Sequence, residues 1–123
     1  MWQQFNNNPL GVKVGDCSVR AISKALDIPW EEAYAKLCLQ GFIMGDMPSS
    51  NAVWGAVLKQ NEFERFALSN DCPECYTLEE FCIDNPSGTF VVGMNGHVAT
   101  VIDGVIYDAW DSRSEIPQFV WRK

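Results

Sequence analysis

Histidine is almost missing from this sequence: His97 stands alone among 123 residues. Any chemistry that needs an imidazole base must pass through that one side chain, and zinc sites built on several histidines are excluded. Positive charge is scarce too, with nine Lys and Arg against sixteen Asp and Glu, a formal net charge of −7 and a pI of about 4.5. So acidic a chain repels a phosphate backbone, and no nucleic acid is expected as a partner. No uninterrupted apolar run approaches the roughly 20 residues of a membrane span, so no membrane is expected either. The stretch Met1 to Pro9 lacks the basic and apolar regions of a signal peptide. Cysteines number five, an odd count that a closed disulfide framework does not use. Together these features favour a reducing, cytoplasmic setting, which suits a free nucleophilic thiol. There is no internal repeat, linker or low-complexity tract, and residues 1–123 read as one domain.

Apolar residues are plentiful, at 47% of the chain with five Trp, three Tyr and seven Phe, enough for a core without covalent staples. Residues 1–15 read as an irregular, Asn-rich opening. Apolar spacing predicts a helix over Cys17–Leu26, ended by Asp27-Ile28-Pro29. Pro29 suits the start of a second helix, Trp30 to about Gln40, with Gly41 as its stop. A third helix spans about Asn51–Asn61, and Phe63–Leu68 reads as a short strand. Thr77 and Glu80 match a capping box for a short helix ending before Pro86. From Gly88 the period changes to two, with strands over Thr89–Met94, His97–Ile102 and Val105–Trp110, and Gln118–Trp121 as an edge strand. Helices first and strands afterwards predict an α+β domain, its N-terminal helices packed on a C-terminal antiparallel sheet.

Cys17 opens the first helix behind Asp16, which reads as its N-cap. The helix macrodipole puts roughly half a positive charge there, which favours thiolate, the nucleophilic form. Arg20 adds positive charge one turn on. A reactive thiol needs a base and a third group to orient it, and the base is His97. For the third role, the turn Asp103-Gly104 selects between Asp108 and Asp111. If those two residues are the centre of a tight turn, Ile102 pairs with Val105, Thr100 with Tyr107 and Ala99 with Asp108. Asp108 then lies diagonal to His97 on one face, with Trp110 opposite His97, while Asp111 points to the other face.

The residues Gly15-Asp16-Cys17, Gly96-His97-Val98 and Val105-Ile106-Tyr107-Asp108 resemble the papain-like cysteine peptidase superfamily, in particular compact bacterial and phage branches of the C39-like, bacteriocin-processing type. The resemblance implies a papain-like fold. It also implies hydrolysis at an amide bond of a peptide or protein substrate, through a thioacyl enzyme with a Cys17–His97–Asp108 triad and no cofactor. Such enzymes commonly carry a Gln shortly before the nucleophile to hold the oxyanion. Here Gly11 occupies that position, and Asn8, with Asn6 and Asn7 beside it, is the candidate amide donor.

Two further features stand outside this pattern. Cys72-Pro73-Glu74-Cys75 is a CxxC, half of a zinc site that Cys82 and Cys38 would complete, but there is no second CxxC, and the reading is structural, with no metal. Of the tryptophans, Trp110 is expected beside the site and Trp54 is a candidate for the substrate groove. Two other functions fit the same residues: acyl transfer by the same triad, and a non-catalytic peptide-binding module in which Cys17 is a packed thiol.

Overall fold

The computed structural model describes residues 1–69 and 76–123. The described elements run β1 (Trp2–Gln4), α1 (Cys17–Leu26), α2 (Trp30–Met44), α3 (Asn51–Gln60), β2 (Glu64–Ala67), α4 (Leu78–Asp84), β3 (Thr89–Met94), β4 (His97–Ile102), β5 (Val105–Asp108) and β6 (Phe119–Arg122). The strands form one six-stranded sheet in the order β1-β5-β4-β3-β6-β2. The fold is α+β, with three corrections to the expected architecture.

The sheet is mixed rather than antiparallel. Trp2–Gln4, expected to be irregular, adds a parallel strand against β5, with Gln4 paired to Asp108. A three-residue strand carries too little periodicity to be seen in sequence, and parallel pairing across a hundred residues leaves no local mark. Second, β6 is not an edge. It lies between β3 and β2, and the exposed strand β2 takes the rim. Third, the helices divide between the two faces. Helices α1, α2 and α3 pack with Val91, Val98 and Phe119 on one face. Helix α4, through Leu78, Phe81 and Cys82, packs with Phe90, Val92, Val101 and Ile106 on the other. The alternation of Phe90, Val91 and Val92 between the two clusters is the period-two pattern of a strand buried on both sides.

Helix α2 continues past Gly41, which is buried so close to the Asp46 carbonyl that an added Cβ would lie 2.7 Å from it. The stop is Gly45, in the left-handed conformation at φ +68°. The Thr77 hydroxyl accepts from the Glu80 N–H, as the capping box predicts. The turn at Asp103 and Gly104 has positive φ at both residues, 50° and 76°, the signature of the tight hairpin turn whose twist matches the flanking strands. It sets the expected register, Ile102↔Val105, Val101↔Ile106 and Thr100↔Tyr107. The buried Thr100 hydroxyl donates to the Ala21 carbonyl at 2.7 Å and pins β4 to α1. No helix among the described residues is long and apolar enough to cross a membrane.

Candidate active site

Cys17 is the first residue of α1, His97 the first of β4 and Asp108 the last of β5. The three side chains meet at the rim of the sheet, where these elements begin and end together. His97 Nε2 lies 2.6 Å from Asp108 Oδ2. That leaves Nδ1 as the ring nitrogen open to the Cys17 thiol, the group with which His97 interacts electrostatically. β5 stops at Asp108, two residues short of the expected strand, because the chain bends at Ala109-Trp110. Trp110 still covers the imidazole, its ring centroid 4.6 Å from that of His97. Asp111 turns outward to an exposed ion pair with Arg113 at 2.7 Å.

Asp108 is 1% exposed, and Arg20, the Ala109 N–H and Ser112 all donate to its carboxylate. Oδ1 accepts from Arg20 Nη1 at 3.1 Å and from the Ala109 N–H at 2.8 Å. Oδ2 accepts from the Ser112 hydroxyl at 2.7 Å, alongside His97. Arg20, one helical turn after Cys17, donates its Nε to Asp16 Oδ1 at 2.9 Å, and Trp30 Nε1–H donates to Asp16 Oδ2 at 3.0 Å. A chain of side chains, buried at its centre and half-buried at its ends, thus runs Trp30–Asp16–Arg20–Asp108–His97–Cys17. Asp16 therefore does not cap α1: its carboxylate turns inward to two side chains and accepts no helix N–H. The first N–H groups of the helix keep their unpaired donors at the thiol.

The electrostatics follow from these contacts. Burial pushes the Cys17 thiol up, but the hydrogen bond and charge of His97, a hydrogen bond from the Val98 backbone and the Arg20 charge outweigh it, and the net shift is downward. Burial works against charge on His97 too. The hydrogen bonds that the imidazolium donates to Asp108 and Cys17, with the charges of those partners, prevail, and the imidazole is pushed up to about 9. For Asp108, burial raises the carboxyl, and His97, Ser112 and the Ala109 N–H together hold it below its ordinary value. A lowered thiol beside a raised imidazole is the condition for a thiolate–imidazolium pair.

The cleft above these groups encloses about 370 Å³, and its walls include Gln4, Asn6, Lys13 and Trp110. Asn8 is not among them. It is buried, its Oδ1 accepts the Leu10 N–H at 2.9 Å, and it faces a neighbouring groove. Two amides reach the cleft: Asn6, whose Oδ1 accepts the Asn8 N–H at 3.1 Å and whose Nδ2 donates to the Val12 carbonyl, and Gln4, carried beside Asp108 by the parallel β1–β5 pairing. Trp54 is not a groove residue: at 1% exposure it is stacked on Phe119 in the core, ring centroids 5.7 Å apart. Sequence spacing does not single out Ser112, and it sets Gln4 too far before Cys17 for the usual oxyanion amide. Ser112 had a usable signal, a hydroxyl four residues beyond Asp108, whereas Gln4 had none short of the strand pairing.

Of the other cysteines, Cys38 is half-buried on α2 and Cys82 is buried on α4, its thiol pushed up by burial. Cys72 and Cys75 lie outside the described residues. Among the described residues no cluster of His, Cys, Asp and Glu has the geometry to hold a metal ion. No family model, curated protein or solved structure matches the chain.

Proposed function

We propose that this chain is a cysteine-dependent hydrolase of peptide or amide bonds, similar to papain-like peptidases. The observation that carries the reading is the Cys17–His97–Asp108 line. Three residue types matched to nucleophile, base and orienting acid, drawn from three separate elements, converge at one cleft, with His97 hydrogen-bonded to Asp108 and acting electrostatically on Cys17.

The chemistry runs as follows. Cys17 attacks the substrate carbonyl as thiolate, with its proton on His97. The carbonyl oxygen becomes an oxyanion and is met by the Cys17 N–H at the uncapped helix start and by the Gln4 side-chain amide. His97 then gives its proton to the leaving amine as the C–N bond breaks, leaving a thioacyl enzyme. Water, losing a proton to His97, attacks the thioester and releases the acid and the thiol. Asp108 keeps the ring in the tautomer with the proton on Nε2 and supports the imidazolium.

The test is limiting alkylation with iodoacetamide at neutral pH, followed by mass mapping. Label is expected on Cys17 first, and His97→Ala is expected to abolish that preference. Equal or faster labelling at Cys38, Cys72, Cys75 or Cys82 overturns the reading and favours a packed thiol in a binding module.

A further inference from the structure

Away from the cleft, α3 and the outer strands of the sheet enclose a pocket of about 360 Å³, walled by Asn51, Gly55 and Lys59 of the helix and by Arg65, Phe119 and Trp121 of the strands. Neither Cys17 nor His97 lines it. The strand register builds one wall. Arg65 pairs with Trp121 across β2 and β6, so both side chains stand on the face that α3 covers. The helix is cut back opposite them. A Cβ added at Gly55 would lie 2.9 Å from the Trp121 ring, and Ala52 and Ala56 line the pocket with single methyl groups. Trp121 is left half-buried, with its side chain on the pocket.

The polar side chains of this pocket have donors to spare. Asn51 Oδ1 accepts the Trp54 Nε1–H at 3.1 Å, which leaves the Asn51 Nδ2. Among the described residues, Lys59 and Arg65 have no ion pair or side-chain hydrogen bond, and the Trp121 indole N–H has no acceptor. The Arg65 guanidinium lies over the Phe119 ring, 4.5 Å from its centroid, which occupies a face of the group and leaves its N–H edge. No carboxylate among the described residues lines the pocket. Glu64, next to Arg65, stands on the other face of the sheet, opposite Arg122. In a chain of net charge −7, two unpaired cations beside an indole ring and clear of carboxylates suit an anion that carries a ring. We propose that the pocket binds an aromatic carboxylate, its ring against Trp121 and its oxygens at Lys59 and Arg65. Two sources share that chemistry: a free aromatic acid, and the C-terminal aromatic residue of a peptide. The inference does not rest on the hydrolase reading.

The test is a titration followed by heteronuclear NMR of the five indole N–H signals, with Trp121→Phe identifying the one that belongs to the pocket. The probes are phenylacetate, N-acetyl-Gly-Phe with a free carboxylate, the same dipeptide as its amide, and acetate. The expected result is a saturable shift of the Trp121 signal by at least one of the two aromatic acids, with a Kd on the order of tenfold or more below those of the amide and of acetate. Tighter binding of phenylacetate supports a free acid as the ligand, and tighter binding of the dipeptide supports a chain end. Lys59→Gln and Arg65→Gln, both at exposed positions, should each weaken that binding about fivefold or more. Ala52→Leu, also exposed, fills the pocket without touching a charge and should abolish the shift. A thermal melt of each variant checks its fold. No saturable shift with either aromatic acid overturns the inference, as does equal binding of acid and amide. Binding that survives Ala52→Leu belongs to a loose patch of cations and overturns it too.

Discussion

Replacing Asp108 by Asn keeps the shape of the side chain and removes its charge, and the structure fixes which way the new amide must turn. Arg20 Nη1 and the Ala109 N–H, which face Oδ1, can only donate. His97 Nε2 and the Ser112 hydroxyl, which face Oδ2, can also accept. The NH2 of Asn therefore takes the Oδ2 position, Ser112 rotates to accept, and His97 presents a bare Nε2. The ring proton moves to Nδ1, where it blocks transfer from Cys17. Loss of charge acts in the same direction: burial then dominates at His97, and its pKa falls from about 9 to the ordinary 6.5 or lower. Without the imidazolium, burial is also the largest influence on the thiol, which returns to its ordinary 9.0 or above, so about 1% or less is thiolate at pH 7. Against a wild type that holds the ion pair, thiolate at pH 7 should drop on the order of 100-fold. Far-ultraviolet thiolate absorbance against pH measures this directly. Imidazole NMR reports tautomer and pKa without ambiguity, because the chain has one histidine. Asp111→Asn, at an exposed surface pair, should leave both readouts unchanged. If the imidazole of Asp108→Asn still titrates near 9 and the thiolate band persists at pH 7, the donor argument is wrong.

Arg20→Met removes the cation shared by two buried carboxylates, Asp16 and Asp108, and should cost about 3–5 kcal/mol in urea unfolding; a cost under about 1 kcal/mol would show that the carboxylates find other partners. Trp54→Ala should cost about 3–5 kcal/mol through the cavity it leaves, with thiolate absorbance unchanged, whereas a change in thiolate would return Trp54 to the cleft. Stability should depend on pH in opposite senses for the two members of the ion pair. The raised His97 contributes fully below 6.5 and is lost as pH rises through about 9, while the lowered Cys17 contributes above 9.0 and is lost as pH falls through its folded value. In Cys17→Ala the opposing contribution is gone, so urea melts should show stability declining above pH 6.5, by at most about 3 kcal/mol by the alkaline end. A flat profile in that variant would mean that His97 is not held by Asp108.

What the sequence determined by itself is local. The start of α1 at Cys17, the Thr77 cap and the β4–β5 register are written in residues a few positions apart, and short-range sterics and hydrogen bonding settle them. The Asp103-Gly104 turn alone was enough to choose Asp108 over Asp111, because positive φ at two adjacent residues sets the pairing, and the pairing sets which side chains can meet. Only the tertiary structure decided what depends on distant partners. Asp16 has the composition of an N-cap, yet Arg20 and Trp30 outbid the helix N–H groups for its carboxylate, since a buried guanidinium and a half-buried indole N–H each need an acceptor. Asn8 and Gln4 are both amides in the opening segment. Gln4 reaches the cleft only because Trp2–Gln4 pairs in parallel with Val105–Asp108, across a hundred residues of chain. Trp54 sits on an amphipathic helix, and sequence periodicity says that such a residue is on the apolar face but not whether that face meets a cleft or another ring. Phe119 supplied the other ring, and packing placed Trp54 in the core.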